Sequence, residues 1–295
     1  MLFDLLKEMK TRHNERYESD NTPSSEVARK YREVIHEDEH EASLALISYR
    51  GGEEEFRLGK EYCSSDDPGD RATGADILAQ LGWGDQTFRD ESIEILTRLL
   101  DDSDVYVVYC AAVGLGHRSA DSAIPALVRH IEHPDPLVRY GVAFGLLGLD
   151  DARAIAGLIK LTADDDRDVR NWAVFGLGTQ IDTDTPAIRD ALREVLSDSD
   201  HEIRGEALVG LAKRGYPAII PELINEWKDD DVSILSIEAA GMTRDPRLFH
   251  RLNQFTEILT LDDDPSFASK LADAIAACTP KAGQGGASGG DNRPN

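Results

Sequence analysis

Five residues near the start, His36-Glu37-Asp38-Glu39-His40, spell H-E-x-x-H. On a helix this spacing sets two imidazoles on one face to hold zinc, while the glutamate activates a metal-bound water. The two middle positions are Asp38 and Glu39, both charged, in a place that a zinc-protease helix keeps uncharged and buried. The match reads as chance within an acidic stretch. His130 and His133 stand three apart with no third ligand nearby and read as surface residues. Cys63, Cys110 and Cys278 are too few and too scattered for a disulfide framework or a thiolate metal site, and they suit a reducing compartment. There is no Gly-rich phosphate loop and no G-x-S-x-G. No metal and no cofactor is implied, and no residue set names a catalyst.

Composition narrows the partners. Fifty-six acidic against 32 basic residues give a net charge of −24 over 295 residues. A field of that sign repels phosphate backbones and anionic lipid over a Debye length of about 8 Å. Neither nucleic acid nor membrane is an expected partner; a protein or peptide is, and a basic one fits best. No apolar run approaches the roughly 20 residues that span a bilayer. The expectation is a monomer working in the cytoplasm.

The elements that position any site come from an internal repeat, which outranks single motifs as evidence of fold. Windows begin at Thr73 (TGADILAQLG), Val107 (VVYCAAVGLG), Val138 (VRYGVAFGLL), Val169 (VRNWAVFGLG), Ile203 (IRGEALVGLA) and Val232 (VSILSIEAAG). A weaker copy begins at Phe267 and an early one at Glu41. In the Val169 window, Val169, Ala173 and Leu177 fall at i, i+4 and i+8 on one helical stripe; Val107, Ala111, Leu115 and Ile203, Ala207, Leu211 repeat it. Aspartates before the anchors cap the helices and favour the positive end of the dipole. They can also be read as an acidic ridge facing a basic partner.

Between windows lies a second helix. TPAIRDALREVLSD offers Thr185 as cap, Pro186 in the first turn, and Ile188, Leu192, Val195 and Leu196 on one side. YPAIIPELINEW is expected to bury Ile220, Leu223, Ile224 and Trp227 in the same way. A lone helix pair cannot cover its apolar faces, whereas stacked neighbours can. The expected fold is all-α: an α-solenoid of stacked antiparallel helix pairs. Residues 1–38 should form an N-terminal helical cap, with helical stretches at 2–10 and 27–35. Residues 39–279 should form about seven repeats, and 280–295 a disordered Gly-rich tail.

The D-x-x-V-R-x-x-A-x-x-x-L-G phrase at 166–178, with relatives at 104–116, 135–148 and 200–212, resembles HEAT repeats of the short-period kind found in phycobilisome lyases. The resemblance covers most of the chain. It implies a ladder between the Arg after the anchor and an Asp of a neighbouring layer. Arg139, Arg170 and Arg204 supply that Arg, while Gly74, Val108 and Ser233 are expected to break the ladder. HEAT folds also include a di-iron deoxyhypusine hydroxylase with His-Glu pairs in successive repeats. Here His40-Glu41 has no counterpart in the later slots, which hold Tyr109-Cys110, Asn171-Trp172 and Gly205-Glu206.

The resemblance also places the V-R-x-x-A helices on a concave surface. Positions two and six after each anchor point away from the apolar stripe. Tyr109 and Val113, Tyr140 and Phe144, then Asn171 and Phe175 occupy them, with Trp172 beside. Two readings stand: the rings line a binding groove, or they pack between layers as core. On the first, Tyr109, Tyr140, Phe144, Asn171, Trp172 and Phe175 are the binding residues of a non-enzymatic scaffold or adaptor that holds a partner segment. The alternative is a bilin or chromophore lyase-like protein, with a tetrapyrrole in the same groove.

Overall fold

The computed structural model describes residues 17–35, 41–82, 86–228, 232–258 and 265–280, the side chains of 41, 42 and 258 excepted. The H-E-x-x-H stretch, the 2–10 helix, Asp229 to Asp231, Asp262 to Asp264 and the Gly-rich tail from Lys281 lie outside them. Every regular element among the described residues is helical, and there is no strand. The fold is an α-solenoid of stacked antiparallel helix pairs. Contacts divide it into two compact units, with the boundary between Gly176 and Leu177. The division falls inside a stretch of π-helix, Gly176–Gln180.

The first unit carries α1 (Ser24–Val34), α2 (Glu41–Arg50), α3 (Glu53–Cys63), α4 (Pro68–Gln80), α5 (Arg89–Leu99) and α6 (Val105–His117). It continues with α7 (Ile124–Leu127), α8 (Pro136–Gly145), α9 (Ala152–Leu161) and α10 (Arg167–Phe175). The window helices α4, α6, α8 and α10 pack each on the next. Their anchor stripes form the seam: Val107, Ala111, Leu115, Val138, Val142, Val169 and Ala173 are all fully buried. Each Val or Leu so enclosed contributes about 1.5–3 kcal/mol. Helices α5 and α9 cover the other side of α6 and α10. Helix α7 is short: after it the chain tightens into a 3-10 turn, Val128–His130.

The second unit carries α11 (Pro186–Val195), α12 (His201–Lys213), α13 (Ile219–Glu226), α14 (Ile234–Thr243), α15 (Phe249–Ile258) and α16 (Pro265–Cys278). Here α12 packs on α14 and α14 on α16, with α11 and α13 against α12 and α15 against α16. Thr185 caps α11 through the amide of Ile188, and Pro186 takes its first position, as the sequence predicts. One expectation is corrected in α13. Ile220, Leu223 and Trp227 are buried, but Ile224 is half exposed. The buried three fall at i, i+3 and i+7, within about 60° of arc, and Ile224 at i+4 lies about 40° beyond their edge.

Helix starts follow one device. Asp67, Asp104, Asp135, Asp166 and Asp200 each cap a window helix through their own carboxylate. Four residues after the cap stands the ladder Arg: Arg71, Arg139, Arg170 and Arg204. Each reaches back to the carbonyls five and six residues before it. Arg71 also grips Asp102 at 2.7 and 2.8 Å, and Arg139 grips Asp164 at 2.7 Å through both nitrogens. Arg204 grips Glu226 instead. This corrects the expectation at Gly74. The α4 layer keeps its ladder through Arg71, three residues before the position aligned on sequence. A shift of three residues leaves an apolar stripe on nearly the same face, so the stripe could not fix the register.

Candidate functional site

The window helices fix where the rings stand. Val107, Val138 and Val169 are turned fully into the seam, so positions two and six beyond them turn partly outward. Tyr109, Tyr140, Phe144, Asn171, Trp172 and Phe175 are all partly exposed, neither enclosed as core nor free in solvent.

The structure brings all five rings into one row. Ring centroids lie 5.8 Å apart for Tyr109 and Tyr140, 6.0 Å for Tyr140 and Trp172, 5.1 Å for Phe144 and Trp172, and 5.8 Å for Trp172 and Phe175. The contacts made by Trp172 are edge-to-face, the geometry that aromatic quadrupoles favour. The row crosses from α6 through α8 to α10 without a gap. Two further rings extend it. Tyr106 meets Tyr109 at 5.6 Å, and His117 meets Phe144 at 5.2 Å. Neither was legible, because Tyr106 precedes its anchor and His117 lies at the last turn of α6; the spacing of three between Tyr106 and Tyr109 is the signal that could have found the first. Asn171 holds on α10 the sequence position that Tyr109 and Tyr140 hold on α6 and α8. Its amide oxygen Oδ1 is enclosed and accepts no hydrogen bond from a described residue.

Electrostatically the row is a low-dielectric surface with a carboxylate at its α6 end. Burial raises the pKa of Tyr109, and the neighbouring Tyr140 adds to the effect. Burial likewise raises that of Tyr106, followed by Cys110 and Asp76. Both phenols therefore stay protonated at neutral pH. Asp76 on α4 accepts from the Tyr31 hydroxyl at 2.7 Å.

The other candidates have structural occupations. His133 Nδ1 accepts from the Asp135 amide at 3.1 Å, and its ring lies 6.1 Å from that of His130. Among the described residues no three His, Cys, Asp or Glu side chains are placed to hold a metal ion. All three cysteines are buried thiols. Burial pushes Cys63 up to about 12 and Cys110 well above its ordinary value, the opposite of what a nucleophilic thiol needs. Two buried arginines escaped the sequence reading. Arg118 donates through Nε and Nη2 to the Leu78 carbonyl at the end of α4. Arg214 donates to the carbonyls of Leu177 and Gly178. Each stands eleven residues after its anchor, where the Val138 window has Leu149, so both replace a core apolar residue.

An all-helical stack of this kind, with capped window helices, an Arg-to-acid ladder and a side-chain row on one face, defines a helical repeat protein. The HEAT repeats model matches residues 57–147, 93–178 and 155–244, more than half of the chain, and the chain belongs to that family. Protein YibA of Escherichia coli is 34% identical over 88 residues, 30% of this chain and 31% of that protein. The match thus spans under a third of the curated relative's length. The crystal structure of YibA superposes with a TM-score of 0.63 at 27% identity, covering 90% of this chain and 96% of that one. The complex of CpcE and CpcF of phycocyanin lyase from Nostoc shares 17% identity at a TM-score of 0.40, over 88% of this chain and 97% of that one, and carries nothing beyond general likeness. Among the described residues no helix is long and apolar enough to cross a membrane.

Proposed function

We propose that the protein is a non-enzymatic scaffold or adaptor that holds a segment of a partner protein along the row of Tyr109, Tyr140, Phe144, Asn171, Trp172 and Phe175. The observation that carries this reading is the row itself: partly exposed rings in unbroken contact across three successive window helices. Repeat folds use such side-by-side surfaces for extended binding. Tyr, Trp and Phe are the residues that dominate affinity where they form the dry centre of an interface.

The net charge of −24 favours a partner segment bearing Lys or Arg. Many turn acids are already engaged as caps or ladder partners, so the general field, more than a dedicated ridge, supports this preference. Buried thiols support a reducing compartment, the cytoplasm. The working unit is a monomer.

The test is a phage-displayed peptide library selected against the full chain. Binders are expected to lose about 100-fold in affinity on the Phe144→Asp, Trp172→Ala double variant, with helical circular dichroism retained. A milder Tyr140→Ala variant should lose about 10-fold. Binders indifferent to Tyr140→Ala, together with an unfolded double variant, would make the rings core. Visible-absorbance titration with a bilin separates the alternative, since a spectral shift at saturation would assign the same rings to a tetrapyrrole.

A further inference from the structure

Arg244 stands apart from the other cations of the chain. Among the described residues it is the one lysine or arginine whose side chain makes no hydrogen bond, ion pair or ring contact. Unpaired acids are the rule where 56 acids meet 32 bases, and an unpaired base is the exception. The backbone is unusual too. Arg244 ends α14 in the left-handed region, with φ at 52°. Beyond α8 and α12 the residues in that region are Gly148 and Gly215, and beyond α6 it is Ser119. A side chain meets a steric cost there that glycine avoids. The arginine thus accepts strain to hold a charge that the fold itself leaves unmatched.

Its surroundings form an open cleft of about 530 Å³, within the second unit, lined from α12, α14 and α16. Ala212, Ile237 and Ala274 make a buried apolar floor. Met242 also lines the cleft and is 42% exposed, one of two large apolar side chains so exposed among the described residues. An unbranched thioether adapts its shape to whatever lies on it. Two more cations line the cleft, and both are engaged. Lys213 is held by Asp182 at 2.8 Å and by the carbonyls of Thr179 and Ile181, and Lys270 by Glu238 at 2.7 Å. Asp273 at the exposed edge is one of the many unpaired acids. The charge that sets this cleft apart is therefore the guanidinium beside the methionine.

We propose that this cleft is a second docking surface, which takes a protein segment carrying an apolar side chain next to an aspartate or glutamate. The apolar side chain lies on the floor against Met242, and the carboxylate accepts from the Arg244 guanidinium, whose planar fork matches it. The net charge of −24 opposes acidic partners at long range. Recognition is therefore short-range, and the segment bears one carboxylate in an otherwise apolar stretch. A phosphate group, with up to two charges, calls for a second free cation, and Lys213 and Lys270 are engaged. The proposal goes beyond the ring row: it gives the second unit a surface of its own, for a segment of opposite charge.

The test selects a phage-displayed peptide library on the full-length protein after depletion on its Arg244→Gly variant. Peptides whose binding falls with Tyr140→Ala belong to the ring row and are set aside. Those that remain should carry Asp or Glu beside an apolar residue and bind wild type about 10-fold more tightly than Arg244→Gly. Replacing their acid by its amide should cost wild type the same factor and cost Arg244→Gly nothing further. Met242→Ala should weaken them about 5-fold. Arg244→Gly should keep its helicity and unfold at the same temperature or higher, since glycine relieves the left-handed backbone. A lower unfolding temperature would give the guanidinium a structural role and overturn the proposal. So would selected peptides that are all indifferent to residue 244, or that carry no acid. Tighter binding of a phosphoserine analogue would overturn the carboxylate as the recognised group. None of these results touches the scaffold reading, which stands or falls on the rings.

Discussion

Glu206 shows how a single buried group sets a pH response. It stands on α12, its Oε2 enclosed without a donor among the described residues. Burial, followed by the charges of Glu238 and Glu202, pushes its carboxyl from an ordinary 4.5 to about 7. The folded protein therefore holds a proton between those values that the unfolded chain releases. Stability from this group is complete below about 4.5 and is lost as pH rises through about 7. Allowing for its partial exposure, the loss is about 2 kcal/mol. Urea unfolding at pH 5 and pH 8 should show that loss in wild type and little of it in Glu206→Gln, which should be the more stable protein at pH 8. Parallel pH dependence in the two would assign the response to other groups.

Between elements, glycine sets the distance at which window helices cross. A Cβ on Gly145 of α8 would stand 2.7 Å from the Ala112 carbonyl oxygen of α6. That oxygen belongs to a helix backbone and cannot step aside as a side-chain tip would. Gly145→Ala gains about 1 kcal/mol of helix propensity against an overpacking cost of about 1–3 kcal/mol. The fixed obstacle puts the cost at the upper end, so the variant should lose about 2 kcal/mol net, read as a lower urea midpoint. A midpoint equal to or above that of wild type would mean that α6 and α8 can slide apart without penalty. A Cβ on Gly74 of α4 would likewise stand 2.5 Å from the Cys63 nitrogen and 2.7 Å from the Gly59 oxygen of α3. These contacts account for Gly74 and Gly145 as packing residues.

Across the whole molecule, charge is the dominant long-range term. A net −24 makes the compact state repel itself. Raising salt from about 10 mM to 300 mM shrinks the Debye length from about 30 Å to about 6 Å. The ladder pairs Arg71–Asp102 and Arg139–Asp164 are mostly shielded from solvent and are screened little. The thermal midpoint should therefore rise by a few degrees over that range in scanning calorimetry. A fall would show that attractive surface pairs outweigh the net repulsion. The same field predicts no retention of duplex DNA at low salt, where a cationic groove would bind most strongly.

The amino-acid sequence alone determined the helical repeat, the apolar stripes of Val107, Val138 and Val169, the Asp caps and the start of α11 at Thr185 and Pro186. These are properties of one helix at a time, written in a period of 3.6 residues and in local hydrogen bonding. Tertiary structure decided the rest. It set the register of α4, where Arg71 and not the residue at 74 joins the ladder, and it left Ile224 outside the core. It put charged Arg118 and Arg214 at core positions, because carbonyls of the preceding layer await them. It joined the five candidate rings, with Tyr106 and His117, into one row. How far a helix is rotated about its axis depends on what its neighbours offer, and residues some thirty positions away in the chain supply that information.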